Sequence, residues 1–355
     1  MPAINYLQSN GDTLKNLVGA ITREQLAAAE AHYVHERMTT WANQTAVPPT
    51  FDESYLRAIH KHLFQDIFEW AGRTRNERVR LSDGTFADMP VMARRGSKPF
   101  TAGRDITRDL TSVFGDLNAA DLRGLDRDSF ANQAADCLVR LNKIHPFREG
   151  NGRTQRIFFH ELAKAAGHRL DFSVASPKRI YAVSIRANDH DDPDPMRRLF
   201  REIATPGRIE ALRIGLVHLS TSNVHLPDAY VSTTEPGHAY RDLQMLGTAG
   251  NNFIASTNTA FVVGWRNDLP APEPAAGQQF AIDKARARFP SRRPSVRSAG
   301  LNAPTLRSAA VAGSKGVARR IGLARQRRAR QRRDDKPETG VLRSRSQDLK
   351  QSQAE

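Results

Sequence analysis

His145-Pro146-Phe147-Arg148-Glu149-Gly150-Asn151-Gly152-Arg153-Thr154-Gln155-Arg156 joins two segments of helical periodicity, and the rest of the chain is read outward from it. Pro146 favours ending the first helix at His145, which leaves the imidazole at the mouth of a loop. Gly150 and Gly152 permit backbone angles that turn successive N–H groups toward one point, an anion-binding nest. The next helix adds its positive N-terminal end at the same place. Arg153 and Arg156, three residues apart, share one helix face and can both reach an anion held there. Glu149 offers the hard oxygen that Mg²⁺ prefers when it bridges phosphates. Phe147 has nothing to offer phosphate and is expected to anchor the loop in the core. Donors for a triphosphate and a neutral histidine as base for an incoming hydroxyl suit nucleotidyl transfer.

Residues 1–205 read as mainly helical. Thr50-Phe51-Asp52-Glu53 is a capping box opening a helix with Tyr55, Leu56, Ile59, Leu63, Phe64, Ile67 and Phe68 on its apolar face. Asp128 is placed to cap the helix before the loop, whose inward face carries Phe130, Ala134, Cys137, Leu138 and Leu141. The helix from about Asn151 stops at Gly167, and Ser176-Pro177 and Asp194-Pro195 start two more. Val79 to Phe86, with Asp83-Gly84 at its turn, predicts a β-hairpin. The run that follows, through Arg94, Arg95, Gly96 and Pro99 to Phe100, is too irregular for a helix.

The pattern changes near residue 206. Tyr230 to Thr234, Phe253 to Ala255 and Phe261 to Trp265 read as short strands, which predicts a small β-rich, barrel-like module over 206–270. Residues 271–355 read as a Pro-rich linker and a basic, disordered tail, with a helix near Ala318 to Arg333. There is no internal repeat.

The charge follows this division. Of the net +15, residues 281–355 supply 20 Lys+Arg against 6 Asp+Glu, leaving 33 against 32 in the remainder. A disordered solvated arm, an export signal and nonspecific nucleic-acid binding are all open to such a tail. Few aromatics interleave with its arginines for base stacking. No run of about 18 apolar residues suggests a membrane span, and the N-terminus lacks the pattern of a secretory signal. The cytoplasm is therefore the expected location, with export by a route that reads the other end left open. The single cysteine, Cys137, reads as a buried thiol rather than a nucleophile. Asp189-His190-Asp191-Asp192 reads as an acidic loop rather than a metal site, and the other histidines lack zinc-site spacing.

His145 to Arg156 matches the Fic-family signature His-x-Phe-x-(Asp/Glu)-Gly-Asn-Gly-Arg-x-x-Arg at every defined position. His60 to Gly72 also resembles the family's helix before its substrate-binding flap, and the likeness spans about residues 20–205. The resemblance implies a mainly α Fic-type fold that moves AMP from ATP to a hydroxyl of a target protein. It implies His145 as base, Glu149 as Mg²⁺ ligand, Gly150, Asn151 and Gly152 as anion hole, and Arg153 and Arg156 on the β- and γ-phosphates. Ser82, Asp83, Gly84, Thr85 and Phe86 would form the flap that docks target backbone by strand addition. Tyr181, Arg186 and Asn188 would line the adenosine pocket. Many relatives carry an inhibitory Ser/Thr-x-x-x-Glu-Gly/Asn helix. Here Glu precedes Gly or Asn only at Glu149-Gly150, so a separate antitoxin-like protein is the expected restraint. Some Fic effectors exported by type IV secretion share the order of Fic domain, β module and C-terminal delivery region, which would give the tail a secretion receptor as partner. Their delivery region is a sizeable helical bundle, longer and less polar than this tail. A Fic-fold transferase of UMP or phosphocholine, and an idle Fic scaffold acting through its tail, are the alternatives.

Overall fold

The computed structural model describes residues 6–41, 49–222 and 224–286. Eight α-helices fall among them: α1 Arg23–Trp41, α2 Glu53–Phe64, α3 Ile106–Ala119, α4 Arg127–Ile144, α5 Asn151–Ala165, α6 Pro177–His190, α7 Asp194–Ala204 and α8 Pro206–Thr221. A two-stranded hairpin, β1 Val79–Arg80 and β2 Phe86–Ala87, sits between α2 and α3, and five strands follow α8. The fold is mainly helical, as expected. None of the described helices is long and apolar enough to cross a membrane.

Side-chain caps set the starts of α2, α4 and α6, with two of them shifted from the sequence expectation, and α7 opens at Asp194 itself, behind Pro193 and with no side-chain cap where Asp194 was expected to be the cap. Asp52, not Thr50, caps α2, its carboxylate accepting from the Tyr55 N–H at 2.8 Å. Phe51 just before it takes a left-handed φ of 48°, so Thr50 is turned out of the capping position. Asp126, not Asp128, caps α4, accepting from the N–H groups of Asp128 and Ser129. Ser176 caps α6 as its sequence suggests, and Gly167 ends the α5 segment at φ 79°.

One apolar core runs through the helices and gathers Phe64, Phe68, Trp70, Phe130, Phe147 and Phe158, all essentially buried. Burial of such side chains is worth roughly 1.5–3 kcal/mol each. This core holds the His145–Arg156 loop from below.

The strands β3 Val231–Thr233, β4 Tyr240–Ala249, β5 Asn252–Ser256, β6 Phe261–Trp265 and β7 Gln279–Ile282 form one sheet in the order β3-β6-β5-β4-β7. β3 runs parallel to β6 and the other pairs are antiparallel, with a register shift between Met245 and Gly247. Ile254, Val263 and Val231 join the main core, while Leu243, Phe253, Val262 and Phe280 build a second cluster. α8 lies tightly on the sheet: a Cβ on Gly215 would stand 2.4 Å from Val263 Cγ2. The stretch opening at 206 is thus a helix before it is a sheet. β7 falls where a linker and tail were expected. Four residues between Gly277 and Asp283 carry little local signal. They become a strand because β4, some 40 residues earlier, supplies the partners, pairing Tyr240 with Ile282 and Leu243 with Phe280. The expected helix near Ala318 to Arg333 lies outside the described residues.

A buried charged network joins helices to sheet. Arg179 of α6 and Glu202 of α7, both without solvent exposure, form a two-pronged pair at 2.8 and 2.9 Å. Arg179 also donates to the Val231 carbonyl, and Glu202 accepts from the Thr233 N–H. Arg198 reaches the Thr233 carbonyl and the Tyr240 hydroxyl.

Candidate active site

α4 ends in the left-handed residue His145 (φ 49°, ψ 61°), and five residues later Gly150 (φ 84°), also left-handed, stands just before α5. Gly150 cannot be replaced in place, because an added Cβ would lie 2.4 Å from the Phe64 ring. Asn151 braces the loop: its side-chain carbonyl accepts from the Phe147 N–H at 3.0 Å and its amide donates to the Phe147 carbonyl at 2.8 Å. The Asn151 side chain is therefore committed, and what it can still offer an anion is its backbone N–H. Phe147 is buried as expected and stacks on His60, 3.9 Å between ring centroids. Thr154 is buried too, donating from its hydroxyl to the Gly150 carbonyl.

Two residues that the sequence did not single out hold this loop from behind. His60 is fully buried and accepts at Nδ1 from the Gly72 N–H, 2.8 Å away. Its proton therefore sits on Nε2, which donates to the Glu149 carbonyl at 2.9 Å. Burial pushes its pKa down to about 3. Arg75, also fully buried, spends its guanidinium on backbone carbonyls. Nε donates to His145 at 2.9 Å, Nη1 to Met89 and Pro90, and Nη2 to Ile144 and Thr101. It sits at the negative end of α4 and ties the catalytic-loop backbone to the chain leaving the hairpin. Nothing local marks Arg75, since its partners lie 14 to 70 residues away.

The His145 ring is half-buried and stacks on Phe100, with centroids 4.0 Å apart and planes within 7°. Loss of water pushes its pKa down to about 3, and the positive charges of Arg94 and Arg75 push the same way. The imidazole is thus neutral at ordinary pH, the state a general base requires.

On the other side of the loop, Arg153 pairs with Glu30 of α1 at 2.5 Å and Glu149 at 3.2 Å, over the ring of Phe64. Burial raises the pKa of Glu30, against the pull of Arg153. Glu149 also accepts from the Gly150 N–H at 2.9 Å. Arg156 has no carboxylate partner among the described residues, and burial lowers its pKa. A Cβ on Gly152 would meet only Arg156 Nη1, 3.5 Å away, so the space above this first turn of α5 is open.

His145, Gly152 and Arg156 line one cavity of about 370 Å³, with Arg94 and Tyr181 on it as well. Phe172, Ile180, Met196, Leu199 and Phe200 give it an apolar wall. That combination suits a flat apolar ring joined to an anionic chain. Of the three residues expected around adenosine, only Tyr181 lines the cavity. Arg186 is turned to Asp192 at 2.6 Å, and Asn188 is buried against the Lys98 carbonyl and Asp189. α6 presents only some of its faces to the cavity, and residues 186 and 188 lie beyond its reach at the helix end.

The hairpin residues do not line this cavity. Ser82 donates to Glu69 from its N–H and its hydroxyl, both at 2.7 Å. Asp83 pairs with Lys15 at 2.8 Å, and hydrogen bonds from Lys15 and Thr85 hold its pKa down at about 2. Gly84 turns at φ 80°, and Phe86 is exposed beneath the Arg78 guanidinium. The acidic run does not gather into a metal site among the described residues. Asp189 and Asp191 bind Lys98, and Asp192 binds Arg186. Cys137 is buried, its pKa pushed up to about 12 by desolvation.

Known proteins resemble this chain in sequence and fold. A profile of the Fic/DOC family matches residues 50–163. A protein adenylyltransferase of Bartonella henselae is 34% identical over 268 residues, 75% of this chain and 49% of that protein, so the chain spans about half its length. A probable protein adenylyltransferase of Sinorhizobium fredii is 38% identical over 142 residues, 39% of this chain and 67% of that protein. Among solved structures, the type IV secretion system effector protein BepA superposes with a TM-score of 0.74 at 32% identity. The match covers 80% of this chain and 97% of that one. BepC of Bartonella tribocorum with bound AMPPNP gives a TM-score of 0.56 at 38% identity, over 58% of this chain and 98% of that one. The matched segment carries the loop, its two glycines and the arginines just described, and the chain belongs to the Fic/DOC family.

Proposed function

We propose that this chain transfers AMP from ATP to a hydroxyl side chain (Ser, Thr or Tyr) of a target protein. One observation carries the reading: a neutral, ring-stacked His145 shares a cavity with the open N-terminal turn of α5 and Arg156. In this reading His145 takes the proton of the target hydroxyl. The hydroxyl oxygen bonds to the α-phosphorus, the bond to the β-phosphate oxygen breaks, and pyrophosphate leaves. The backbone N–H groups of Gly150, Asn151 and Gly152, with Arg153 and Arg156, bind the charge that gathers on the phosphates. Glu149 is a single hard, part-exposed carboxylate beside this site. That donor set fits Mg²⁺, which commonly takes one or two carboxylates and fills its shell with water and substrate phosphates. When bound, the ion would neutralise part of the phosphate charge. To serve it, Glu149 must leave the Gly150 N–H and Arg153. Tyr181 lines the adenosine pocket, and Ser82 to Phe86 form an edge for target backbone.

The order of helical Fic part, β module and basic C-terminal stretch, with a type IV effector as structural neighbour, supports export into another cell. A separate inhibitor is the restraint we infer, because the inhibitory motif is missing from the sequence. The test is incubation of the full chain with a lysate and ATP labelled at either the α- or the γ-phosphate. Labelling from α only, lost in His145→Ala, is the expected result. Label arriving from the γ-phosphate, or undiminished in His145→Ala, would overturn the reading.

A further inference from the structure

Arg94 lies in the irregular run between β2 and α3, a segment for which neither the loop nor the hairpin accounts. Its half-buried guanidinium stands 5.3 Å from the Phe100 ring centroid and 5.5 Å from that of Tyr181. Phe100 is the ring stacked on His145, and Tyr181 belongs to α6, so Arg94 spans the cavity mouth between the imidazole and the helical wall. Its guanidinium carbon lies near both rings, yet its N–H groups form no ion pair or side-chain hydrogen bond among the described residues. The other arginines nearby are differently engaged: Arg75 is spent on carbonyls and Arg153 on two carboxylates. Arg94 and Arg156 are the cavity-lining guanidiniums, and they approach it from different elements.

A guanidinium placed beside two aromatic rings with its donors free is positioned for an anion, and its restricted freedom reduces the entropy lost on binding one. Position then selects which anion. Arg156 sits on the first turns of α5, beside the nest that receives the end of the phosphate chain. Arg94 is reached through the ring that touches His145, and the base must lie next to the phosphorus that its hydroxyl attacks. We propose that Arg94 binds the α-phosphate of the nucleotide, forming with Arg156 a clamp from two sides of the cavity. This rests on the AMP-transfer reading for the order of the phosphates. It has a consequence for the base. The charge of Arg94 is among the influences that keep His145 unprotonated, and a phosphate on Arg94 would offset that charge. Nucleotide binding would then make His145 a stronger base when it is needed.

The experiment measures equilibrium binding of AMP, adenosine and AMPPNP to the full chain and to Arg94→Ala, Arg94→Gln and Arg94→Lys. Loss of a charge-assisted hydrogen bond weakens binding roughly tenfold or more. Arg94→Ala and Arg94→Gln should show that loss for AMP and AMPPNP with adenosine unchanged, and Arg94→Lys should recover part of it. Equal loss for adenosine would mean that Arg94 stacks on the base, and unchanged AMP binding would mean that it does not touch the α-phosphate; either overturns the proposal. The Gln and Lys variants keep a polar side chain with an aliphatic stem at this place should Arg94→Ala fail to fold. A wild-type chain that shows the predicted binding pattern yet labels no protein from α-labelled ATP would sink the transfer reading and leave Arg94 where it is. A wild-type chain that binds neither AMP nor AMPPNP would sink both.

Discussion

Gly150→Ala tests whether the loop is held by the physical contacts described above. Gly150 has φ 84°, where an L-residue with a Cβ costs roughly 1–2 kcal/mol. The new Cβ would also lie 2.4 Å from two atoms of the Phe64 ring, and Phe64 is fully buried in the core. Relieving such overpacking typically costs about 1–3 kcal/mol. The two together predict a loss of about 2–5 kcal/mol in unfolding free energy by denaturant titration. The native loop must also move, and a displacement near 1 Å at a reacting centre costs about a hundredfold in rate, read as transfer of α-labelled AMP. Gly167→Ala separates the two contributions. Gly167 has nearly the same φ of 79° but nothing within 4 Å of an added Cβ, so it should lose only the backbone part and keep its transfer rate. A Phe64→Leu background should lessen the cost of Gly150→Ala by opening the space beside it. If Gly150→Ala unfolds no more readily than Gly167→Ala and transfers at the wild-type rate, the loop does not rest on Phe64 as described.

His145→Ala should leave unfolding almost unchanged while removing transfer. With the His145 pKa near 3 in the nucleotide-free chain, kcat/KM, which reports that state, should show no acid limb at the ordinary histidine value near 6.5; an acid limb there would contradict the buried imidazole. His60, with its pKa also down at about 3, bears on stability. Its contribution is present above the unfolded value near 6.5 and is lost as pH falls toward 3, by roughly 1 kcal/mol for each pH unit. A His60→Asn variant should therefore show a flatter fall of unfolding free energy between pH 6.5 and 5 than the wild type. Glu202→Ala would leave Arg179 buried without its carboxylate, and should cost about 3–5 kcal/mol; a cost under 1 kcal/mol would show that helices and sheet are not joined through this pair. Removing residues 287–355 should preserve transfer and shed most of the basic excess. Cutting at 281 instead should destabilise the sheet, because it takes Ile282 from its pairing with Tyr240. Equal behaviour of the two truncations would contradict the placement of β7.

The sequence by itself determined the features whose causes are local. Asp83-Gly84 turned the hairpin, Ser176-Pro177 opened α6, and Pro146 and Gly150 fixed a loop between two helices because each acts on its own backbone or that of its neighbours, whereas Gly152, expected to turn the backbone as well, is an ordinary helical residue of α5. The same local logic singled out His145, Arg153 and Arg156, but a spacing of three did not show that Arg153 turns to Glu30 and Glu149 while Arg156 lines the cavity. The cap positions slipped by two residues because Thr50 and Asp52, or Asp126 and Asp128, are equally good caps in isolation, and the turn at Phe51 and the reach of Asp126 decide between them. Tertiary structure alone decided the rest. β7 exists because β4 offers it a ladder. Arg186 and Asn188 do not line the cavity because α6 gives it Pro177, Ile180, Tyr181 and Ser184 while its last turns bind Asp192, Asp189 and the Lys98 carbonyl, and a sequence position cannot reveal which face is turned inward near a helix end. His60, Arg75 and Phe100 act on the loop across 45 to 89 residues of chain. Burial alone makes these groups matter: it lowers the imidazole pKa values and obliges Arg75 to find carbonyls. Burial is a property of the assembled core, which no stretch of sequence carries on its own.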